Sequence, residues 1–595
     1  MKKIISVLLC VVMTASVLSA YAGAFSTDIC VDSSYSVVYS DEILAAAAEK
    51  LSGYIGRVIG EAPAVSPQAD GNCIILKNDS SVIENGYKIK ADGSNILITG
   101  STLQQTVRGA YAFLEKYCGI SCYTSKLTVF KQNEIRVPAD TDYSYVPYFE
   151  YTDTDWMSPC DTEYSLFNGL NSDEYRKIPA ELGGTIDYIS SFAHSLTNQF
   201  CSRDKYFEEH PEYFAFNGFG RTDKQLCLSN PEVVEIITQE VLDLLKKKHD
   251  PKADIQIISL TQNDNISYCR CDKCREIDRK CGSHAGTYVL LANAVAKTIR
   301  EKGYDNVVID TFAYRYTRTA PKGIELEPNV VIRLCSIEGC FSHALDDPSC
   351  KTNADFMHDL EEWSKICKRV YIWDYCTNYT AFVGLFPDFG VLQRNMQIFY
   401  EHNVKGVYEE GNYTMNKCDT EFGELRSYMI SKLMQDPYLD FNAVRDEFIN
   451  AYYGEGGKYV SEFLDIITEN AGKKHLGIYM PMTSTLAMSP SQVRKCDELW
   501  EKAKSESTGT ELENVIHSEM SWRYWKMKNL KSEFSNPVNF MAEKEKLTSD
   551  IHAAGVDRWT EATGAIVFFS KIGQALYFDL FPLVNFFIKL IYKAI

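Results

Sequence analysis

The sequence predicts an α/β protein centred on a (β/α)8 barrel, with a small α/β domain before it and a helical domain after it. Three observations predict this. Between Tyr148 and about Met434, short β-branched or aromatic runs alternate with helical stretches, as in parallel strands joined by crossover helices. Eight such runs fill about 290 residues, close to the size of a (β/α)8 barrel. The later runs each end in a polar or aromatic cluster: SLTQNDN, DTFAYRY, CSIEGC, IWDYCTNY and VYEEGNY. Residues just past the carboxyl ends of the strands face the active site in barrels of this class.

The elements follow in chain order. Lys2 and Lys3 form a positive start, Ile4 to Leu18 is apolar, and Ala20-Tyr21-Ala22 has a small-x-small pattern. These features predict a secretory signal over 1–22, cleaved near Ala22, and hence a secreted or extracytoplasmic protein. An uncleaved anchor is the alternative, for which the apolar run is short. Residues 28–142 read as the small α/β domain. Asp41–Ile59 and Thr102–Lys116 have helical spacing, Cys73–Leu76 is a buried-strand run, and Tyr87–Lys90 and Ile96–Ile98 flank the turn pair Asp92-Gly93. Val137 to Pro147 is polar and aperiodic, so it predicts a linker.

The barrel, 148–434, has its strand candidates at Tyr148–Tyr151, Ile186–Phe192, Lys224–Leu228, Ile255–Leu260, Val307–Phe312, Val330–Leu334, Val370–Trp373 and Val404–Tyr408. The helical domain, 435–560, shows periodicity over Phe441–Tyr453, Lys458–Asn470, Ser491–Ser505 and Glu511–Leu530. The tail 565–595 is densely apolar but is interrupted by Lys571, Asp579 and Lys589. A buried terminal helix, an interfacial membrane helix and a sequence irregularity remain open for it, with membrane contact not favoured.

Composition narrows the function. The chain has 595 residues, 61 Lys plus Arg against 80 Asp plus Glu, and a net charge of −19. Losing Lys2 and Lys3 with the signal would take that charge to −21. This balance argues against nucleic acid, whose phosphates require clustered cations. Hydrophobic residues at 45% and charged residues at 24% exclude disorder as the dominant state. No Gly-rich phosphate loop, HExxH motif or G-x-S-x-G elbow is present, which counts against nucleotide, zinc-protease and α/β-hydrolase chemistry.

Glycoside hydrolysis needs two carboxyl groups, one protonating the leaving oxygen and one activating water or attacking the sugar. The strand ends supply Asp264, Glu338, Asp374, Glu409 and Glu410, while Asp310 lies inside its strand. Asp264, Glu338, Asp374 and Glu410 are the catalytic candidates. His194, Asn263, Tyr314, Arg315, Trp373, Tyr375 and Asn378 are the sugar-binding candidates, since aromatic faces stack on pyranose rings and Asn or His hydrogen-bonds hydroxyls. Trp373 and Tyr375 share one face of their strand, so Asp374 is expected on the other.

Cys269, Cys271, Cys274 and Cys281 form a C-x-C-x2-C-x6-C run after the fourth strand. The spacing suits a structural zinc, its fourth ligand being Cys281 or a distant residue such as Cys227. Disulfides and free buried thiols are the alternatives outside the cell. Cys335, Cys340 and Cys350, with His343, make a second cluster after the sixth strand. No cofactor is expected for catalysis.

HPEYFAFNGFGR, QLCLSNPEVVEIIT, SLTQNDNISYCRCDKC, RVYIWDY and VKGVYEEGN, with RGAYAFLEKYCGISCY upstream, together resemble a broad family of secreted bacterial proteins. That family carries a domain of unknown function placed among the TIM-barrel glycoside hydrolases. The resemblance runs from about residue 30 to about residue 470. Its N-terminal domain is similar to the one preceding the barrel in α-glucuronidases and β-hexosaminidases. The resemblance implies hydrolysis of glycosidic bonds in a polysaccharide or host glycan, or, as an alternative, a non-catalytic carbohydrate-binding protein using the same pocket. By similarity to α-glucuronidases, Asp264 would be the acid, with Glu338 and Asp374 available to activate water. The adjacent Asp-Glu pair of β-hexosaminidases is absent, because that position reads Asn263-Asp264-Asn265.

Overall fold

The structure, a computed structural model, describes residues 28–68, 70–172, 177–412, 419–480, 485–530 and 537–556. The expected signal, 1–22, and the apolar tail, 565–595, lie outside the described residues. Among the described residues, no helix is long and apolar enough to cross a membrane.

The chain forms two compact units. The first holds a six-stranded sheet in the order Asp142–Tyr145, Tyr87–Asp92, Asn95–Gly100, Cys73–Asn78, Ser36–Tyr39 and Ala64–Ser66. Helices Ala45–Ile59 and Leu103–Lys116 accompany it. Gly93, at φ 66°, makes the tight turn between the paired strands Tyr87–Asp92 and Asn95–Gly100. Thr102 caps the second helix by accepting the Gln105 N–H. The stretch expected as a linker instead contributes Asp142–Tyr145 as an antiparallel edge strand beside Tyr87–Asp92. Its alternating Tyr143 and Tyr145 both pack on Tyr87, a two-residue period that polar neighbours masked.

The second unit contains a parallel sheet of seven strands. Their order is Tyr151–Thr154, Val404–Glu410, Val370–Tyr375, Val330–Cys335, Val307–Ala313, Gln256–Ser259 and Asp187–Tyr188. The sheet curls into a barrel, because inward side chains from both of its edges meet in one cluster. Tyr151 from one edge and Ile186 from the other pack with Ile257, Val308, Val331, Tyr371 and Tyr408. Between the two edges runs the Asn171-Ser172 segment. Asn171 Oδ1 accepts the Thr152 N–H at 2.9 Å, and the Ile186 N–H donates to the Asn171 carbonyl at 2.8 Å. Gly406 opposes both Tyr151 and Tyr371 in register, and a Cβ there would lie 2.8 Å from each side chain. Its bare backbone leaves the space in which those rings stack at 5.2 Å.

The expected third strand, Lys224–Leu228, is not part of the barrel. Arg221–Leu226 pairs antiparallel with Phe214–Phe216 in a separate hairpin, and Asn217 Oδ1 shapes the turn by accepting the Phe219 and Gly220 N–H groups. The first strand begins three residues later than expected, and the second shrinks to Asp187–Tyr188.

Inside the barrel, Arg333 and Asp310 form a fully buried ion pair. The guanidinium lies 4.4 to 5.1 Å from the ring centres of Phe192, Tyr188, Phe312 and Trp373, so aromatic faces replace part of its lost hydration. Helices Phe441–Tyr453, Gly457–Ala471, Pro490–Glu506 and Gly509–Asn529 follow, and they fall in the same compact unit as the barrel. Their apolar seam joins Phe463, Trp500 and Trp522 to Phe422.

Candidate active site

A cleft enclosing about 100 Å³ of water-accessible space opens at the carboxyl ends of the barrel strands. Phe312, Cys335, Trp373, Tyr375 and Glu410 come from the strands themselves. His194, Asp264, Tyr314, Ile337, Tyr379 and Tyr479 come from the loops beyond. Phe312, Tyr314 and Cys335 pack with Ile337 and Trp373 as one apolar floor.

Two of the four expected carboxyl groups line this cleft. Asp264 is exposed; its Oδ1 accepts the Tyr314 hydroxyl at 2.9 Å and lies 3.4 Å from Arg315 Nε. Arg315 Nε also donates to the Tyr314 oxygen at 2.8 Å, so one side chain fixes both the tyrosine and the acid. Glu410, the last residue of its strand, accepts the Trp373 indole N–H at 2.7 Å. Burial and the neighbouring Asp264 charge hold the Tyr314 hydroxyl above its ordinary range, so it acts as a neutral donor.

The other two lie elsewhere. Asp374 faces away from Trp373 and Tyr375, as strand alternation requires. It is buried, accepts the Ser336 hydroxyl and the Tyr375 N–H, and does not line the cleft. Burial pushes its carboxyl up to about 6. Glu409, its neighbour in register, is held well above the carboxylate range by burial and then by the Asp374 charge. Glu338 is exposed and pairs with Arg318 at 3.2 Å, while the preceding Ile337 turns into the cleft.

Among the binding candidates, His194, Tyr314, Trp373 and Tyr375 line the cleft. Arg315 reaches it through Tyr314 and Asp264. His194 and Arg315 have φ of 54° and 52°, a left-handed conformation costly for side chains of this size and often concentrated at functional sites. The His194 ring is held by Nδ1 against the Gln262 carbonyl at 2.6 Å. Asn263 and Asn378 serve the backbone instead, donating to the Lys224 and Met480 carbonyls at 2.8 Å.

Sequence reasoning missed Phe312, Cys335, Ile337, Tyr379 and Tyr479. The first four stand in the strand-end clusters, where their alternation with Tyr314, Glu338 and Tyr375 was the available signal. Tyr479 had none. It follows the helix Gly457–Ala471, and its segment reaches the barrel mouth through the Tyr379 N–H donating to the Ile478 carbonyl at 2.8 Å.

Elsewhere in the same unit, Cys227, Cys269, Cys271 and Cys274 bring four sulfurs within 4.8 Å of one another. Cys227 and Cys271 stand 3.6 Å apart, near the roughly 3.8 Å edge of a tetrahedron with about 2.3 Å zinc–sulfur bonds. Hydrogen bonds from Cys269 and then Cys274 hold the Cys227 thiol well below its ordinary range. Cys281, expected as a ligand, is elsewhere. It ends the helix Asp272–Cys281, whose rise carries it about 10 Å past Cys274, and its sulfur faces the Ser283 carbonyl at 3.2 Å.

The family described as "Domain of unknown function (DUF4838)" matches residues 122–465. No curated protein sequence matches the chain. Among solved structures, similarity is found to a GH138 enzyme targeting pectin rhamnogalacturonan II, at 11% identity and TM-score 0.42, over 87% of this chain and 91% of that one. A family 89 glycoside hydrolase from Clostridium perfringens matches at 10% identity and TM-score 0.49, over 86% of this chain; the match spans 65% of that structure, less than two thirds. A GH20 exo β-N-acetylglucosaminidase from Vibrio harveyi matches at 9% identity and TM-score 0.40, over 72% of this chain and 74% of that one.

Proposed function

The chain belongs to the DUF4838 family, and from that premise we propose that it is an exported glycoside hydrolase acting on a polysaccharide or host glycan. One observation carries the reading: Asp264, in the loop after Gln256–Ser259, and Glu410, at the end of a different strand, line the same aromatic cleft at the barrel mouth. One of the pair protonates the leaving oxygen and the other activates water or attacks the sugar. Trp373, Tyr375, Tyr379 and Tyr479 offer ring faces to a pyranose, while His194 and Tyr314 offer hydrogen bonds to its hydroxyls. Asp374 and Glu338 stand outside this chemistry, the first as a buried support of the strand end and the second as a surface ion pair. A structural zinc at Cys227, Cys269, Cys271 and Cys274 would fix the loop carrying Asp264, five residues before Cys269.

The aromatic lining also suits the second reading, a carbohydrate-binding protein without turnover. A screen of chromogenic glycosides and glycan extracts separates the two. Release of sugar by the wild-type chain supports hydrolysis, whereas saturable binding of a glycan that is never cleaved assigns the binding role. On an active aryl glycoside, the acid is identified by leaving group: a good one needs no protonation, so only the variant lacking the acid keeps turnover on it.

A further inference from the structure

Away from the Cys227 cluster, the described residues contain one more group of soft ligands, and it is assembled from two separate stretches of chain. Cys340, His343 and Cys350 lie in the loop between Val330–Cys335 and the helix Lys351–Ile366, and His475 follows the helix Gly457–Ala471. Their ligand atoms all lie within 4.8 Å of one another. Cys340 Sγ is 3.2 Å from His343 Nδ1, and Cys350 Sγ is 3.6 Å from His475 Nδ1. Those spacings fit the roughly 3.5 Å sulfur–nitrogen edge of a tetrahedron around zinc, with bonds of about 2.3 Å to sulfur and about 2.0 Å to nitrogen.

The surroundings are those of a held ligand set. His343 Nε2 faces the Gly472 carbonyl at 3.1 Å, which places the ring proton on that nitrogen and leaves Nδ1 to coordinate. Asn353 receives the Cys340 N–H at 2.7 Å and donates to the Cys340 and His343 carbonyls at 3.0 Å, fixing the turn between them. Cys340 and Cys350 are buried and His475 is exposed, so an ion could enter from one side.

We infer that Cys340, His343, Cys350 and His475 form a second site for a zinc-class divalent cation, which fastens the segment 472–480 to the barrel mouth and so holds Tyr479 in the cleft. The backbone already marks the path of that fastening. Phe341 N–H donates to the Leu476 carbonyl at 2.8 Å and Tyr379 N–H to the Ile478 carbonyl at 2.8 Å. Leu476 and Ile478 pack with Phe341, Tyr375 and Tyr379. Only three residues separate His475 from Tyr479, so an ion at His475 sets where that ring can stand. The ion here is structural, since four protein ligands leave no open position for substrate.

The test is metal content of the full chain, purified with zinc present and measured by elemental analysis. His475→Ala is expected to carry one zinc equivalent fewer than the wild type, and His475→Cys, which puts another soft ligand at the same position, to recover it. Replacement by cobalt should give wild type and His475→Cys a tetrahedral visible spectrum whose mixed nitrogen–sulfur component His475→Ala lacks. Equal zinc in wild type and His475→Ala overturns the proposal, as does a Cys340–Cys350 disulfide found by peptide mass. The count is a difference between variants, so it is independent of the Cys227 cluster, and it reads metal rather than turnover, so it is independent of the glycosidase reading.

Discussion

Replacing Asp374 by asparagine separates support from chemistry at the barrel mouth. Asp374 is fully buried beside Ser336, and burial pushes its carboxyl from an ordinary 3.8 up to about 6. Between those values the folded chain holds a proton that the unfolded chain has released, so this group's contribution to stability falls as pH rises. The difference of about two pH units corresponds to about 3 kcal/mol at 1.36 kcal/mol per unit. Asparagine keeps the size and the acceptor but does not titrate. Urea unfolding of wild type and Asp374→Asn from pH 4 to pH 8 reads the effect directly. Relative to the variant, the wild type is expected to lose about 3 kcal/mol, most of it between pH 4 and 6, and then to level off. Turnover of Asp374→Asn should stay within about threefold of wild type, because the group does not line the cleft. A stability difference that is flat with pH, or one in which the wild type gains as pH rises, would refute the burial argument.

Other outcomes follow from the same packing. Asp310→Ala strands the buried Arg333 charge and should cost about 3–5 kcal/mol in denaturant unfolding, whereas Asp310→Leu combined with Arg333→Met should cost less. Tyr479→Ala removes one ring face from the cleft while leaving both carboxyls, so KM should rise about tenfold with kcat within about threefold, measured by steady-state kinetics. Cys271→Ser should lower bound zinc by one equivalent and make the melting temperature insensitive to a chelator acting at that loop, and unchanged zinc content would contradict the four-sulfur site.

Much of the fold was legible because its signals are local. Leu103–Lys116 announced itself by helical spacing and by Thr102 at its start, and the hairpin by Asp92-Gly93. The five later barrel strands stood out because both faces are buried, which gives unbroken runs such as Val307–Ile309 and Val330–Ile332. Lys224–Leu228 was misread as a barrel strand because its apolar residues Leu226, Cys227 and Leu228 are buried as they would be there, while the strand that forms, Arg221–Leu226, has its partner, Phe214–Phe216, set by the turn at Asn217. In the site, strand ends gave Asp264, Glu410, Tyr314 and the Trp373–Tyr375 face. Alternation alone put Asp374 on the far side, although position had kept it among the catalytic candidates. Cys227 and Tyr479 depended on where separate segments return. Sequence spacing left Cys281 and Cys227 both open as the fourth ligand until the helix between Cys274 and Cys281 had a direction. Nothing near Tyr479 records that Phe341 and Tyr379 bind its backbone segment.

The most direct test of the two-carboxyl cleft is turnover of Asp264→Asn and Glu410→Gln on a glycoside that the wild-type chain cleaves and whose leaving group is poor enough to need protonation, with the melting temperature of each variant measured alongside. Both substitutions are nearly isosteric, Asp264 is exposed, and Glu410 keeps an acceptor for the Trp373 N–H. Turnover is expected to fall by roughly 100-fold or more in each variant, with the melting temperature close to that of wild type. Wild-type turnover in either variant would remove that residue from the mechanism, and wild-type turnover in both would contradict the claim that this cleft breaks the glycosidic bond with Asp264 and Glu410.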